Sequence, residues 1–258
     1  MLPAVDDGSK SLEMSLNMLR TASEQGITDV VNTVHFQHPK VETEDISYNR
    51  ILEETKKLQL SIDNESIPIK IHIGAEVFYL PNLVELKENK LTTMGNGKYM
   101  LIEFQPHQIP EGSKQELFNL KMAGVTPIIA HPERYKPVQE NIGIIHQWLR
   151  AGCLIQIDAG SVLGFLGSGA EKSSHEILRG QLCQLMGSDA HDNRKRNFCL
   201  SDAIEYSKTI VDESFLDGLI KNGNKVLHGE EIAIEFDEFT HSTHKSIWEK
   251  IGSRLGLG

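Results

Sequence analysis

Cysteine is scarce in this chain of 258 residues: there are three, Cys153, Cys183 and Cys199. Their spacing makes no disulfide framework, which predicts a reducing, cytoplasmic setting. Long apolar runs are missing. None approaches the roughly 18 residues of a membrane span. No signal peptide is expected either, because the N-terminus runs straight into Val5-Asp6-Asp7-Gly8. Basic residues are in deficit, 26 against 36 acidic ones, for a formal charge of −10. That argues against a nucleic-acid footprint, while an acidic excess suits a cation site as well as a solvated surface. Internal repeats and low-complexity linkers are absent. The glycine-rich stretch 164–172 is not a nucleotide loop, because Lys172 lies three positions past Gly169 and a phosphate cradle needs Gly-Lys-[Ser/Thr]. Gly164, Gly167 and Gly169 instead predict a flexible loop.

What is present is an ordinary soluble balance, 39% hydrophobic and 24% charged, in a chain long enough for one α/β barrel domain. Strand-like runs at 29–34, 67–75, 99–102, 125–130, 153–157 and 182–186 alternate with helix-like segments. A first helix, capped by Ser9 or Ser11, runs through 24 with Leu12, Leu16 and Leu19 on one face, and Gly26 stops it. Further helices are expected at 44–60, 83–88, 113–123, 138–151, 173–179, 201–211 and 213–222, with a short extended piece at 225–228. Such alternation predicts parallel β/α units closed into a barrel or wound into a sheet. In those folds reactive groups gather at the C-terminal strand ends.

Six residues of metal-ligand type fall at five of those ends: His35, Glu76, Glu103, His131, Asp189 and His191. Alone, the Asp189-x-His191 pair reads more readily as a turn bearing a surface histidine than as a ligand pair. Shared by several strands, the pattern points to one site offering carboxylate oxygens and imidazole nitrogens, donors that suit Mn, Fe, Zn or Co.

The motifs LPAVDDGSKS (2–11), TVH (33–35), GAE (74–76), LIEF (101–104), AHPERY (130–135), DAGSVLG (158–164) and GSDAH (187–191) occur in this order. In these stretches the chain resembles the PHP (polymerase and histidinol phosphatase) superfamily. It is most similar to the bacterial metal-dependent protein-tyrosine phosphatases of capsule and exopolysaccharide synthesis. The resemblance covers about residues 1–230 and implies a distorted (β/α)7 barrel. It implies metal ligands at Asp7, His35, Glu76, Glu103, His131, Asp189 and His191 around three metal ions, Mn foremost. Glu76 bridges two ions, Glu103 and His131 serve one, and Asp7, His35 and His191 serve another. Arg134 matches a phosphate-binding arginine. Arg196 matches a second, although Asn197 and Phe198 replace the family's prolines and Arg194 competes for the role. The implied partner is a phosphotyrosine protein, a tyrosine kinase of polysaccharide synthesis.

One departure is large. The family opens with a strand carrying His-x-His just upstream of the LPAVDDG-like stretch, and here Met1 stands where that motif has ended. The expectation is a barrel lacking its first strand, and a natural chain that begins further upstream. Mass-spectrometric mapping of the native N-terminus tests this. A truncated, non-catalytic metal- or partner-binding module is the rival reading, and a histidinol-phosphate type of phosphoesterase is another.

The residues themselves argue for metal-assisted phosphoester hydrolysis. Clustered cations lower the pKa of water and clamp phosphate, and an arginine forks onto phosphate oxygens. No Cys-x5-Arg loop exists, which excludes a cysteine-based tyrosine phosphatase. His38, His72, His107, His146 and His175 read as surface or structural, with His38 and His107 near enough to strand ends to support ligands. Residues 231–258 form a tail in which Ile247, Trp248, Ile251 and Leu255 share one helical face. That face suits packing on the body or on a second subunit in a homo-oligomer.

Overall fold

The computed structural model describes residues 1–39 and 46–234. The expected tail helix lies outside the described residues. The elements run α1 (Leu12–Glu24), β1 (Asp29–Phe36), α2 (Tyr48–Asn64), β2 (Lys70–Phe78), β3 (Tyr99–Glu103), α3 (Ser113–Met122), β4 (Thr126–Ala130), α4 (Lys136–Glu140), α5 (Gly143–Arg150), β5 (Leu154–Asp158), α6 (Ala159–Val162), α7 (Ser168–Arg179), β6 (Leu185–Gly187), α8 (Leu200–Ser207) and α9 (Glu213–His228). All six strands are parallel and pair in sequence order, β1 to β6, as a curled half-barrel.

Alternation along the strands builds two cores. Met100 and Ile102 of β3, Ile129 of β4, and Ile155 and Ile157 of β5 join the helices' buried faces. Tyr99, Leu101, Ile128, Ala130, Leu154 and Leu185 point the other way, to a cluster closed by Val226 and Ile232. Tyr99, Leu154 and Leu185 are the first residues of their strands, so α9 and the segment after it cover the N-terminal end of the sheet. The opposite end is left for chemistry.

Between β1 and β6 the sheet is open, and residues 1–9 bridge it as coil rather than strand. Leu2 is buried, and its N–H donates to Asn32 Oδ1 of β1 at 3.3 Å. Gly8 lies beside the backbone of His191, past β6. Ser11 caps α1 by accepting from the Met14 N–H at 3.2 Å.

Several local expectations are corrected. Leu12 is exposed, and the buried face of α1 is Ser15, Leu16, Met18, Leu19 and Ala22. The segment 138–151 is two helices, since Asn141 is extended at φ −149° and its Oδ1 caps the Gly143 N–H. Residues 225–228 belong to α9, because Leu216, Leu219 and Val226 recur at helical spacing and are buried together. Gly169 lies in the first turn of α7, not in a loop.

Candidate metal centre

Parallel pairing lines up the donors. His35 of β1 is in register with Glu76 of β2, and Phe78 with Glu103 of β3. His131 directly follows β4, and its N–H donates to Gln156 O at 2.7 Å. His131 and Asp189 both adopt left-handed backbone, at φ +34° and +43°. For residues other than glycine this costs about 1–3 kcal/mol, and such strain clusters at functional sites.

One cluster is buried. His131 Nε2 lies 2.7 Å from Glu76 Oε1 and 3.7 Å from Glu103 Oε1. Glu103 Oε2, 3.5 Å from His38 Nε2, and His131 Nδ1 are buried without a hydrogen-bond partner. Burial and the neighbouring Arg134 push the His131 pKa down, but the carboxylates of Glu76 and Asp189 outweigh them and raise it to about 9. Burial, reinforced by the charge of Glu76, raises the pKa of Glu103.

A second cluster forms where the N-terminal coil meets β1. Asp6 Oδ2 accepts the His35 N–H at 2.7 Å, and both Asp6 oxygens lie 3.0 Å from His35 Nδ1. Asp7 Oδ1 lies 3.5 Å from His35 Nδ1 and 3.5 Å from His191 Nε2. His191 Nδ1 faces the Asp189 carbonyl at 2.7 Å. That contact places the ring N–H there and leaves the Nε2 lone pair on the side of Asp7, free to ligate a cation. Burial opposes charge on His35, but the Asp6 hydrogen bond and nearby carboxylates raise its pKa to about 9. Asp6 falls to about 2, its burial outweighed by the bond and charge of His35.

Beside both clusters, two arginines converge on one carboxylate. Arg134 Nη1 is 2.6 Å and Arg196 Nη2 is 2.5 Å from Asp189 Oδ2. The backbone N–H groups of Arg194, Lys195 and Arg196 all point to Asp192 Oδ1, which shapes the loop that carries Arg196. Arg194 lines a separate cleft with Ser11, Glu13 and Asn17, so Arg196 is the arginine that joins Arg134. Asp158, the last residue of β5, lies 3.7 Å from Arg134 Nη1. Burial and the charges of Asp189 and Glu133 raise its pKa to about 7.

The nine residues singled out in the sequence therefore meet at one end of the sheet, in three adjoining groups. Asp189 stands with the arginines rather than in either cluster. The sequence reading missed Asp6, Asp158 and Glu133. Asp6 sits next to Asp7, and Asp158 ends a strand as the chosen residues do; both signals were available. Glu133 gave none: it is fully buried, and its Oε1 accepts the Asp158 N–H at 3.1 Å. His38 belongs beside Glu103, whereas His107 is exposed, His72 pairs with Asp29, and His175 bonds the Val162 carbonyl.

The donors suit divalent cations. Asp6, Asp7 and His35, and separately Glu76, Glu103 and His131, each bring ligand atoms within 4.8 Å of one another. The buried, unbonded oxygen of Glu103 is the kind of group a cation satisfies. Cysteine chemistry does not fit, since burial pushes Cys153 up to about 12 and Cys199 up to about 11.

The chain has relatives among known proteins. The putative tyrosine-protein phosphatase CapC of Staphylococcus aureus is 30% identical over 238 residues, 90% of this chain and 91% of that protein. The tyrosine-protein phosphatase YwqE of Bacillus subtilis is 30% identical over 205 residues, 79% of this chain and 80% of its own. A solved structure from work on YwqE of Bacillus subtilis and CpsB of Streptococcus pneumoniae, described as unique metal-dependent tyrosine phosphatases, superposes with a TM-score of 0.85. It has 27% identity and covers 91% of this chain and 94% of that one. The family model for capsular polysaccharide synthesis, CpsB/CapC, matches residues 1–228, and the chain belongs to that family.

Proposed function

We propose that this chain is a metal-dependent protein-tyrosine phosphatase of capsular or exopolysaccharide synthesis, acting on a phosphotyrosine of a polysaccharide-synthesis kinase. The observation that carries the reading is the meeting of two carboxylate–imidazole clusters with two arginines at one end of the sheet. Asp7, His35, Glu76, Glu103, His131, Asp189 and His191 are the proposed ligands, and Mn is the first metal to test. Residues 1–230 form the proposed phosphatase domain, with 231–258 as an appended tail.

Bound divalent cations supply a water-derived nucleophile at neutral pH and neutralise phosphoryl charge. The chain's own groups do the rest. Arg134 and Arg196 hold the phosphoryl oxygens with planar, permanently charged forks. Burial opposes the charge of Arg134, but Asp189 and Asp158 hold its pKa above the usual value. Asp189 places both guanidinium groups before substrate arrives. Asp6 orients the His35 ring, a contact to a ligand histidine of the kind that tunes metal sites. A tyrosine phenolate, with pKa about 10, is a good enough leaving group to need little proton donation.

The test compares kcat/KM on a phosphotyrosyl peptide and on histidinol phosphate, with metal content measured on the same preparation. The expected result is preference for phosphotyrosine, lost with chelator and restored by Mn. Preference for histidinol phosphate rejects the substrate, and a metal-loaded chain inert on both rejects the enzyme reading.

A further inference from the structure

An exposed phenylalanine lines the same cavity as Arg196 and Asp189 with no structural task. Phe165, in the turn between α6 and α7, is 63% exposed. Among the described residues it makes no ring contact. It lines a small cavity together with Asp158, Gly160, Asp189, Lys195 and Arg196. None of the other large exposed apolar side chains among the described residues, such as Phe118, Met122 or Ile220, lines that cavity.

The side chain is exposed, yet its backbone is fixed. The Phe165 N–H donates to Gly160 O at 2.9 Å, and the Gly164 N–H to Ser161 O at 3.1 Å. Gly164 turns the chain at φ +77°, where an added Cβ would also come within 3.1 Å of the Glu171 carboxylate. The Gly160 N–H is held by Asp158 Oδ1 at 2.7 Å, and a Cβ added at Gly160 would come within 3.9 Å of the Phe165 Cβ. The turn therefore ties the Phe165 backbone to the strand end whose Asp158 faces Arg134.

We infer that Phe165 is a specificity-determining wall that stacks on the phosphotyrosine ring once the phosphate lies between Arg134 and Arg196. This rests on the proposed phosphatase function. A phosphate held at the Asp189 corner sends its ester group outward through the cavity that Phe165 lines. An aryl ester puts a flat ring there, and ring pairs gain beyond simple burial. A phosphoserine ester has no ring and ends short of the wall. Stacking of this kind acts on binding, so it appears in KM rather than in kcat.

The experiment uses the full, metal-loaded chain with Phe165→Ala and Phe165→Tyr. Measurements are kcat and KM on phosphotyrosyl and phosphoseryl peptides of one sequence, Kd for a non-hydrolysable phosphonomethylphenylalanine peptide, and inhibition by inorganic phosphate. F165A is expected to raise KM and Kd for the aromatic peptides by roughly threefold to tenfold. Its kcat, melting temperature, phosphate inhibition and phosphoserine activity stay within about twofold or unchanged. F165Y restores the wild-type values. Unchanged KM and Kd in F165A, with wild type active on phosphotyrosine, overturns the wall alone. So does an F165Y that behaves like F165A. A wild-type chain that loads metal yet ignores phosphotyrosine overturns the phosphatase reading beneath it.

Discussion

The two donor clusters use the same residue types and stand on different supports. Glu76, Glu103 and His131 come from three neighbouring strands or their ends, with side chains 6%, 13% and 6% exposed. Asp6 and Asp7 come from a coil, and the Asp7 side chain is 51% exposed. In the first cluster the sheet's hydrogen bonds set the spacing, and low dielectric makes every charge matter. In the second, the exposed Asp7 carboxylate can be lost while Asp6 still pairs with the buried His35 ring. The strand-borne half should therefore couple activity to stability, and the coil-borne half should separate them.

The harshest way to break that comparison is His131→Ala. It leaves the buried Glu76 carboxylate without its partner, and breaking such a pair costs about 3–5 kcal/mol in the metal-free protein. Phosphotyrosine kcat/KM should fall more than about 10²-fold, with the urea midpoint falling alongside it. An unchanged midpoint means the cluster is not the rigid half. Asp7→Asn should part the two readouts: activity and metal affinity fall by roughly 10–100-fold, while unfolding shifts by about 0.5 kcal/mol or less. A large loss of stability there would equate the halves.

Protons compete with metal at both clusters, and this sharpens the comparison more gently. His35 and His131 have folded pKa values near 9 against about 6.5 when unfolded. Their contribution to the metal-free chain is complete below pH 6.5 and is lost as pH rises through 9. Asp158, raised to about 7 from the unfolded value near 4, acts in the same sense at lower pH. Asp6, lowered to about 2, stabilises above pH 4 and ceases to as pH falls through 2. Thermal melting of chelator-treated protein should therefore decline from pH 6.5 to 9.5, while Mn affinity by calorimetry rises over the same window. A flat or rising melting curve contradicts the raised histidines. The smallest effect is expected from iodoacetamide, which should leave activity intact in the native protein and label Cys153, Cys183 and Cys199 after denaturation.

The strands and their polar ends could be read from the sequence because both are local patterns. An apolar run followed by Glu103 or His131 needs no knowledge of its neighbours. Helix details were harder. Leu12 sits on the apolar stripe of α1 by spacing but in its exposed first turn, ahead of the buried run that starts at Ser15. Residues 225–228 look extended in isolation and are helical because Val226 must reach the cluster at the strand starts. Glu133 was hidden inside a motif read for its arginine, and its partner is a backbone amide 25 positions away.

From composition and motif order alone came the alternating strands of parallel β/α units, the acidic and imidazole donors at their ends, and the exclusion of a cysteine nucleophile. All of these depend on residues a few positions apart. The curl of the sheet decided the rest: that Arg196 and not Arg194 reaches Asp189, that Asp6 grips His35, and that coil bridges β1 and β6. Those contacts join residues from 7 to 183 positions apart, and a side chain's partner across such a gap is set by where the packed strands bring it.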